Sequence, residues 1–224
     1  MTPANHEVED LKAQVAALTN DWPNLARYRA DNTRLGAPAP GEVRVVFLGD
    51  SITDSWPNTG TFFSRRHYIG RGISGQTTPQ MLVRFQQDVA ALGPKVVVIL
   101  AGTNDVAGNT GPYNPELTRN CLASMVELAQ ARGIRVVLAS VLPAFDYPWR
   151  TGLQPAAKIA ALNAWIKDYA ARNHCVYLDY FAAMADSRPG LKAEYSEDGV
   201  HPNAAGYAVM EPLAEQAIAQ ALAP

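Results

Sequence analysis

Short runs of apolar, largely β-branched residues alternate with longer segments of helical period along most of the chain. The runs predict five strands, at residues 43–48, 68–73, 95–101, 134–141 and 176–179. Continuously apolar runs of this length are typical of strands buried on both faces of a parallel sheet, with helices as the crossover connections. The alternation therefore predicts one α/β domain with three layers, in which helices cover both faces of a five-stranded parallel sheet.

A capping residue next to a proline marks the start of two predicted helices. Thr78-Pro79 opens one of them, and Asn114-Pro115 opens another, which we expect to end at Gly133. Proline suits the first helical turn because the missing amide would have no helical partner there. Two further helices are predicted over residues 154–173 and from residue 203 toward the C-terminus.

The N-terminal segment differs in composition from the rest of the chain. Over residues 5–20, Val8, Leu11, Val15 and Leu18 recur at helical spacing among charged residues, so we expect an amphipathic helix packed outside the core. The proline-rich stretch 36–41 then predicts a linker, which divides the chain into an N-terminal extension, 1–42, and a main domain, 43–224. The extension could cover a cleft, pair with another subunit in a homo-oligomer, or clasp the domain.

Charge and hydropathy restrict the partners of the chain. Its 224 residues include 19 Lys and Arg against 21 Asp and Glu, so no basic surface is expected and nucleic acid is not an expected partner. The strongest apolar run, 96–101, is far shorter than the roughly 18 residues that a membrane span needs. The first twenty residues lack the apolar segment of a secretion signal, which predicts a cytoplasmic protein, or a secreted one if the chain is a processed form.

Polar residues follow the first and third predicted strands. Ligands of such folds bind beyond the carboxyl ends of the strands. Gly49-Asp50-Ser51-Ile52 places a hydroxyl there, as a nucleophile requires, although Asp50 and Ser51 could simply cap the next segment. Gly102-Thr103-Asn104-Asp105 offers a side-chain amide that could stabilise a developing oxyanion, or forms only a turn.

Two other segments carry weaker signals. The stretch 70–75 matches the Gly-x-Gly-x-x-Gly dinucleotide pattern, but it follows the second strand and lacks the acidic residue about 20 positions on, so NAD binding is not expected. Gly75 could instead present a backbone amide to a reacting oxygen. Near the C-terminus, Asp198 precedes His201 by three residues, a spacing that lets a carboxylate orient an imidazole.

Taken together, these motifs resemble the four blocks of the SGNH hydrolases, also called GDSL-type esterases and lipases, over about residues 43–221. The resemblance implies a flavodoxin-like domain with Ser51, Asp198 and His201 as the catalytic residues. It also implies an oxyanion hole formed by Ser51, Gly75 and Asn104, and it implies no metal and no cofactor. Ile52 replaces the leucine of the name-giving motif, which removes no catalytic atom.

The side chains that select the substrate are expected in the loops. The loop 143–154 follows the fourth strand and Trp56 lies shortly after Ser51, so we expect the cleft to be lined by Trp56, Phe145, Tyr147, Trp149 and Arg150. The loop could equally form an aromatic plug on the core. A mixture of rings and polar groups favours a short acyl group on a small-molecule or carbohydrate alcohol over a long acyl chain.

The sequence therefore predicts a serine esterase that hydrolyses short-chain esters through an acyl-enzyme. Alternatives within the same fold are a carbohydrate O-acetylesterase of the acetylxylan type and an acylhydrolase like the platelet-activating-factor acetylhydrolases. A non-catalytic binding module and a nucleotide-binding oxidoreductase are the alternatives from other classes.

Overall fold

Five strands form one parallel sheet in this computed structural model, which describes residues 3–223 and, before residue 21, the side chains of residues 8, 9, 11–13, 15, 16, 19 and 20 only. The strands are β1 (Val45–Gly49), β2 (Ile69–Gly72), β3 (Val96–Leu100), β4 (Arg135–Ala139) and β5 (Val176–Leu178), in the order β2-β1-β3-β4-β5. Each strand end lies within two residues of its predicted position. The predicted five-stranded parallel sheet is thus confirmed.

The longer helices precede, connect and follow the strands. They are α1 (Pro3–Asn20), α2 (Arg29–Leu35), α5 (Thr78–Asp88), α7 (Pro115–Gln130), α8 (Pro155–Arg172) and α10 (Ala204–Leu222). Short helices follow the strand ends and the first loop: α3 (Ser51–Ser55), α4 (Phe62–Arg66), α6 (Thr103–Ala107) and α9 (Tyr180–Met184). Among the described helices none is both long and apolar enough to cross a bilayer.

The strand order reverses between β1 and β3. From β1 the chain passes to β2 at one edge of the sheet and then crosses back to β3 on the other side of β1. Phe47 of β1 is paired with Gly70 on one side and with Val98 on the other. A flavodoxin-like sheet binds its ligand at such a reversal, beyond the carboxyl ends of the strands, so a ligand site is expected at the turns after β1 and β3.

Two apolar cores lie on the opposite faces of the sheet. Alternate residues of each strand point to opposite faces, so Val46 and Leu48 pack toward α5, α7 and α8, while Val45 and Phe47 pack toward α4 and α10. Burial on both faces explains why the strands are apolar without interruption. The three-layer α/β/α architecture is therefore as predicted.

The N-terminal segment has two parts that behave differently. The predicted N-terminal helix is present as α1. Its Val8, Leu11 and Val15 side chains are each about half exposed, so they are not buried against the domain, and the side chain of Leu18 lies outside the described residues. Residues 21–35 instead clasp the domain. Tyr28 is buried and its hydroxyl donates to the carbonyl of Gly72.

Trp56 belongs to the core, which corrects its expected place in the cleft. Only 2% of Trp56 is exposed, and its ring stacks on Phe62 at 5.2 Å and on Tyr207 at 5.2 Å. The short 3₁₀ turn Trp56–Asn58 after α3 points the indole inward onto β1, where Phe47 meets it edge-on. Trp56 therefore packs beneath the segment that follows β1 and does not line a cleft.

We expect Trp56→Ala to lower the free energy of unfolding by about 3–5 kcal/mol, because it leaves a large cavity among rings that cannot collapse into it. Trp22→Ala is the control, since Trp22 is 36% exposed, and its cost should stay below about 1 kcal/mol. Urea unfolding of both variants measures the difference. Equal costs for the two substitutions would contradict the assignment of Trp56 to the core.

Candidate active site

The turn after β1 presents Ser51 at the start of α3. Asp50 caps this helix, since its carboxylate accepts a hydrogen bond of 3.0 Å from the amide of Ile52. Gly49 is required just before the turn because a Cβ there would lie 2.1 Å from Oγ1 of Thr53. The close approach of α3 to β1 thus fixes the position from which the Ser51 hydroxyl leaves the sheet.

His201 reaches Ser51 from the loop before α10. The Oγ of Ser51 lies 2.9 Å from Nε2 of His201, and Nδ1 of His201 lies 2.6 Å from Oδ2 of Asp198. A carboxylate only accepts hydrogen bonds, so Nδ1 carries the proton and Nε2 is left to accept one from the serine hydroxyl. The three side chains form one hydrogen-bonded chain, in the geometry of a nucleophile, a base and an orienting acid.

The loop also fixes the Asp198 carboxylate. Its Oδ1 accepts hydrogen bonds from the backbone amides of Val200 and His201, at 2.9 and 2.8 Å, and from the hydroxyl of Ser196 at 3.1 Å. Partial burial raises the pKa of Asp198, but the bonds from the His201 ring and these amides outweigh it and lower the pKa to about 2. Asp198 therefore stays ionised and can stabilise a positive charge on the imidazole.

Three residues that carry N–H groups, Ser51, Gly75 and Asn104, line the same cavity. Asn104 in α6 follows β3 and Gly75 follows β2, so the strand reversal brings both beside the turn after β1. Among the described residues, the backbone amides of Ser51 and Gly75 donate to no other group. One proton of the Asn104 amide bonds the carbonyl of Gln76 at 3.0 Å, which leaves the other free. An oxyanion at this point would meet three donors.

A buried cation supports the turn and the loop that carries Gly75. Arg84 of α5 is fully buried and donates to the carbonyl of Gly49 at 2.9 Å and to the side-chain oxygen of Gln76 at 2.6 Å. Its charge is partnered by Asp88, at 3.3 Å. The side-chain amide of Gln76 in turn donates to the carbonyl of Pro23, at 2.6 Å. The N-terminal segment 21–35 therefore contacts the same loop.

An open cavity of about 420 Å³ lies above these groups. Most of its lining side chains carry a hydroxyl, amide or imidazole group, and the indole of Trp149 is the one large apolar side chain among them. The Trp149 ring lies 5.9 Å from the His201 ring, measured between centroids. The lining residues are Ser51, Ser55, Ser74, Gly75, Asn104, Asn109, Trp149 and His201.

Of the residues expected to line the cleft from the loop 143–154, the structure places only Trp149 in the cavity wall. Tyr147 is fully buried with its hydroxyl 3.0 Å from Oγ1 of Thr103, so this part of the loop is the aromatic plug. The Arg150 guanidinium donates to the carbonyls of Ala107 and Gly108 at the end of α6. Phe145 is exposed outside the cavity wall, beneath the guanidinium of Arg188.

Other features of the sequence take structural roles. Asp105 accepts hydrogen bonds from the amide and hydroxyl of Thr78, which ties α6 to the start of α5. Gly70 and Gly72 lie within β2, so the dinucleotide pattern does not form a strand-to-helix turn. Among the side chains that the structure describes, no three His, Cys, Asp or Glu form a group that could hold a metal ion.

Sequence reasoning missed Ser74 and Asn109. Ser74 bonds the carboxylate of Asp54 through both its amide and its hydroxyl, at 3.2 and 2.9 Å. Asn109 contacts Asn104 and Gly75. Ser74 precedes the motif glycine directly, which could have drawn notice. Asn109 lies in a polar loop, and nothing in its spacing marks it.

A Ser–His–Asp hydrogen-bonded chain at the strand reversal of a flavodoxin-like sheet is the arrangement typical of a serine hydrolase. The model of the GDSL-like lipase/acylhydrolase family matches residues 47–209. The chain belongs to this family, and it is a hydrolytic esterase. This agrees with the family resemblance of the four motifs.

Two solved structures from Bacteroides are similar over most of the chain. A GDSL-like lipase from Bacteroides thetaiotaomicron is 48% identical, with a TM-score of 0.88 over 90% of this chain and 100% of its own. A protein from Bacteroides fragilis, solved as a candidate acylhydrolase, is also 48% identical, with a TM-score of 0.89 over 91% of this chain and 100% of its own.

More distant relatives share the fold or part of the sequence. A catalytic mutant of an acetylxylan esterase from Geobacillus stearothermophilus is 20% identical, with a TM-score of 0.65 over 82% of this chain and 95% of its own, which shows a common fold. The uncharacterized lipoprotein YqeF of Bacillus subtilis strain 168 is 33% identical over 129 residues, or 50% of this chain. The match spans about half of that lipoprotein, 53% of its length.

Asp50 makes the free energy of unfolding of the protein depend on pH. Burial raises the pKa of Asp50 to about 7, so the folded protein keeps this proton after the unfolded chain has released it near pH 4. The folded state binds more protons in this window, and the contribution of Asp50 to stability falls as the pH rises from about 4 to 7. Asparagine keeps the capping oxygen and does not titrate.

We expect Asp50→Asn to become more stable relative to the wild type, by on the order of 1 kcal/mol or more, as the pH rises from 4.5 to 8. Urea unfolding at several pH values measures the difference. Asp179→Asn is the matched control, because Asp179 caps α9 through the amide of Ala182 but is partly exposed. A stability difference for Asp50→Asn that is constant with pH would refute the explanation.

Proposed function

We propose that this esterase hydrolyses carboxylic esters with short acyl groups through an acyl-enzyme on Ser51. The observation that carries the proposal is the unbroken chain from Oγ of Ser51 through His201 to Asp198, at 2.9 and 2.6 Å, beside three N–H donors. A serine hydroxyl is too weak a nucleophile on its own and needs such a base.

The first half of the reaction forms the acyl-enzyme. Nε2 of His201 takes the hydroxyl proton as Oγ of Ser51 bonds the ester carbonyl carbon, and the carbonyl oxygen becomes an oxyanion. The backbone amides of Ser51 and Gly75 and the side chain of Asn104 hold that oxyanion. The tetrahedral intermediate then collapses, the bond to the alcohol oxygen breaks, and the imidazolium returns its proton to the leaving alkoxide.

The second half releases the acid. Water gives a proton to Nε2 of His201 as its oxygen bonds the acyl carbon, and a second oxyanion forms in the same hole. Collapse breaks the bond to Oγ of Ser51, which recovers the proton. Asp198, ionised throughout, stabilises the charged imidazole in both halves.

The cavity favours a small acyl group and a polar alcohol. Its wall offers the hydroxyls of Ser55 and Ser74 and the amide of Asn109, and Trp149 is its one large apolar side chain. Burying a long acyl chain would need a continuous apolar surface, because each buried methylene contributes about 0.8 kcal/mol only when it leaves water. The Trp149 indole alone offers apolar surface for only a few acyl carbons.

With p-nitrophenyl esters from acetate to dodecanoate, we expect the highest kcat/KM at two to four acyl carbons. A maximum at eight carbons or more would contradict the assignment of a short acyl group.

Ser51→Ala should lose activity on every ester, down to the residual contribution of binding and the oxyanion hole, about 10³-fold or more below the wild type. Ser64→Ala, an exposed serine on α4, is the control and should behave as the wild type.

A further inference from the structure

We propose that Asn109 is a positioning residue that aims the Asn104 amide and the Gly75 loop at the oxyanion. The proposal rests on the function proposed above. The Nδ2 group of Asn109 donates to Oδ1 of Asn104 at 2.8 Å and to the carbonyl of Gly75 at 3.2 Å. One side chain thus contacts two of the three groups that supply oxyanion donors.

The orientation of each amide follows from partners that have only one hydrogen-bonding role. The Gln76 carbonyl only accepts, so Nδ2 of Asn104 faces it and Oδ1 faces Asn109. The Gly75 carbonyl likewise only accepts, so Nδ2 of Asn109 faces it. Without Asn109, the Asn104 amide would lose the bond that holds its oxygen away from the reacting carbonyl. A carbonyl oxygen turned toward an oxyanion would repel it.

The end of α6 places Asn109 beside Asn104. Gly108 closes the helix in the left-handed conformation, with φ +72°, and the chain turns back so that the amide of Asn109 donates to the carbonyl of Asn104 at 3.0 Å. A Cβ at Gly108 would lie 2.8 Å from the Arg150 guanidinium. Arg150 bonds the carbonyls of Ala107 and Gly108 at 2.9 and 2.6 Å and so holds this turn.

Trp149 holds the other end of the Asn109 side chain. Its Nε1 lies 3.3 Å from Oδ1 of Asn109, and an indole nitrogen can only donate. The same indole lies beside the His201 ring, tilted by 38°. The loop 143–154 therefore links the base side of the site to the oxyanion side through one asparagine.

Asn109 is exposed, unlike Asn104, which is 2% exposed. An exposed asparagine contributes little packing, so its substitution should leave the fold intact. The effect should appear in turnover, because the Asn104 donor stabilises charge that develops only in the transition state. Binding of the uncharged ester should change little.

The test is Asn109→Asp, which has the same shape, but its carboxylate can donate to neither Asn104 nor Gly75. We expect kcat on p-nitrophenyl acetate to fall about tenfold or more, with KM within about twofold and an unchanged melting temperature. Affinity for a phenylboronic acid, a mimic of the tetrahedral intermediate, should fall in parallel with kcat/KM. Asn109→Ala, which adds no charge, should show the same direction. Asn120→Asp, an exposed asparagine on α7, should behave as the wild type.

A double-mutant cycle shows whether Asn109 acts through Asn104. In an Asn104→Ala background, Asn109→Asp should lower kcat by less than about threefold. An Asn109→Asp variant with wild-type kcat, or one whose loss is the same with and without Asn104, would overturn the proposal. Full activity of Ser51→Ala would instead refute the proposed function, so the two failures are distinguishable.

Discussion

The site depends on the reversal of strand order between β1 and β3. Because neighbouring parallel strands end at the same edge of the sheet, the reversal brings the turn after β1, the loop after β2 and the start of α6 together. Ser51 and His201 are 150 positions apart in the chain and still lie within hydrogen-bond distance. The two buried cores on either face of the sheet hold these turns rigidly enough for that contact.

Polar side chains beneath and beside the site extend this rigidity. Arg84, which is buried, bonds both Gly49 before the Ser51 turn and the loop that carries Gly75, while the exposed Asn109 bonds that loop and Asn104. A buried polar group left without a partner costs about 1–3 kcal/mol, so the hydrogen bonds of Arg84 favour one arrangement of the loop. The N–H groups that we propose to hold the oxyanion are thereby oriented without a substrate.

The fold could be predicted from the sequence because its signals are local. Strands buried on both faces must be apolar without interruption, and a parallel sheet needs helices between its strands, so β1 to β5 were predictable to within two residues. The site residues could be placed near one another because each follows a strand end or precedes a helix. The family motifs then assign each of them a role.

The direction of individual loop side chains could not be predicted. Trp56 and Tyr147 follow strand ends as Trp149 does, but which of these rings turns inward depends on tertiary packing, such as the stacking of Trp56 on Tyr207. Asn109 carries no periodic signal, because its contacts arise from the left-handed turn at Gly108. The packing of residues 21–35 against the domain could not be predicted either, because this segment is largely polar.

The proposed mechanism depends most directly on the reactivity of the Ser51 hydroxyl oxygen. Incubation with a fluorophosphonate followed by mass spectrometry of the intact protein and its peptides measures that reactivity. We expect a single adduct on Ser51, formed far more slowly when His201 is replaced by alanine. An unlabelled protein, or an adduct on a different serine, would contradict it.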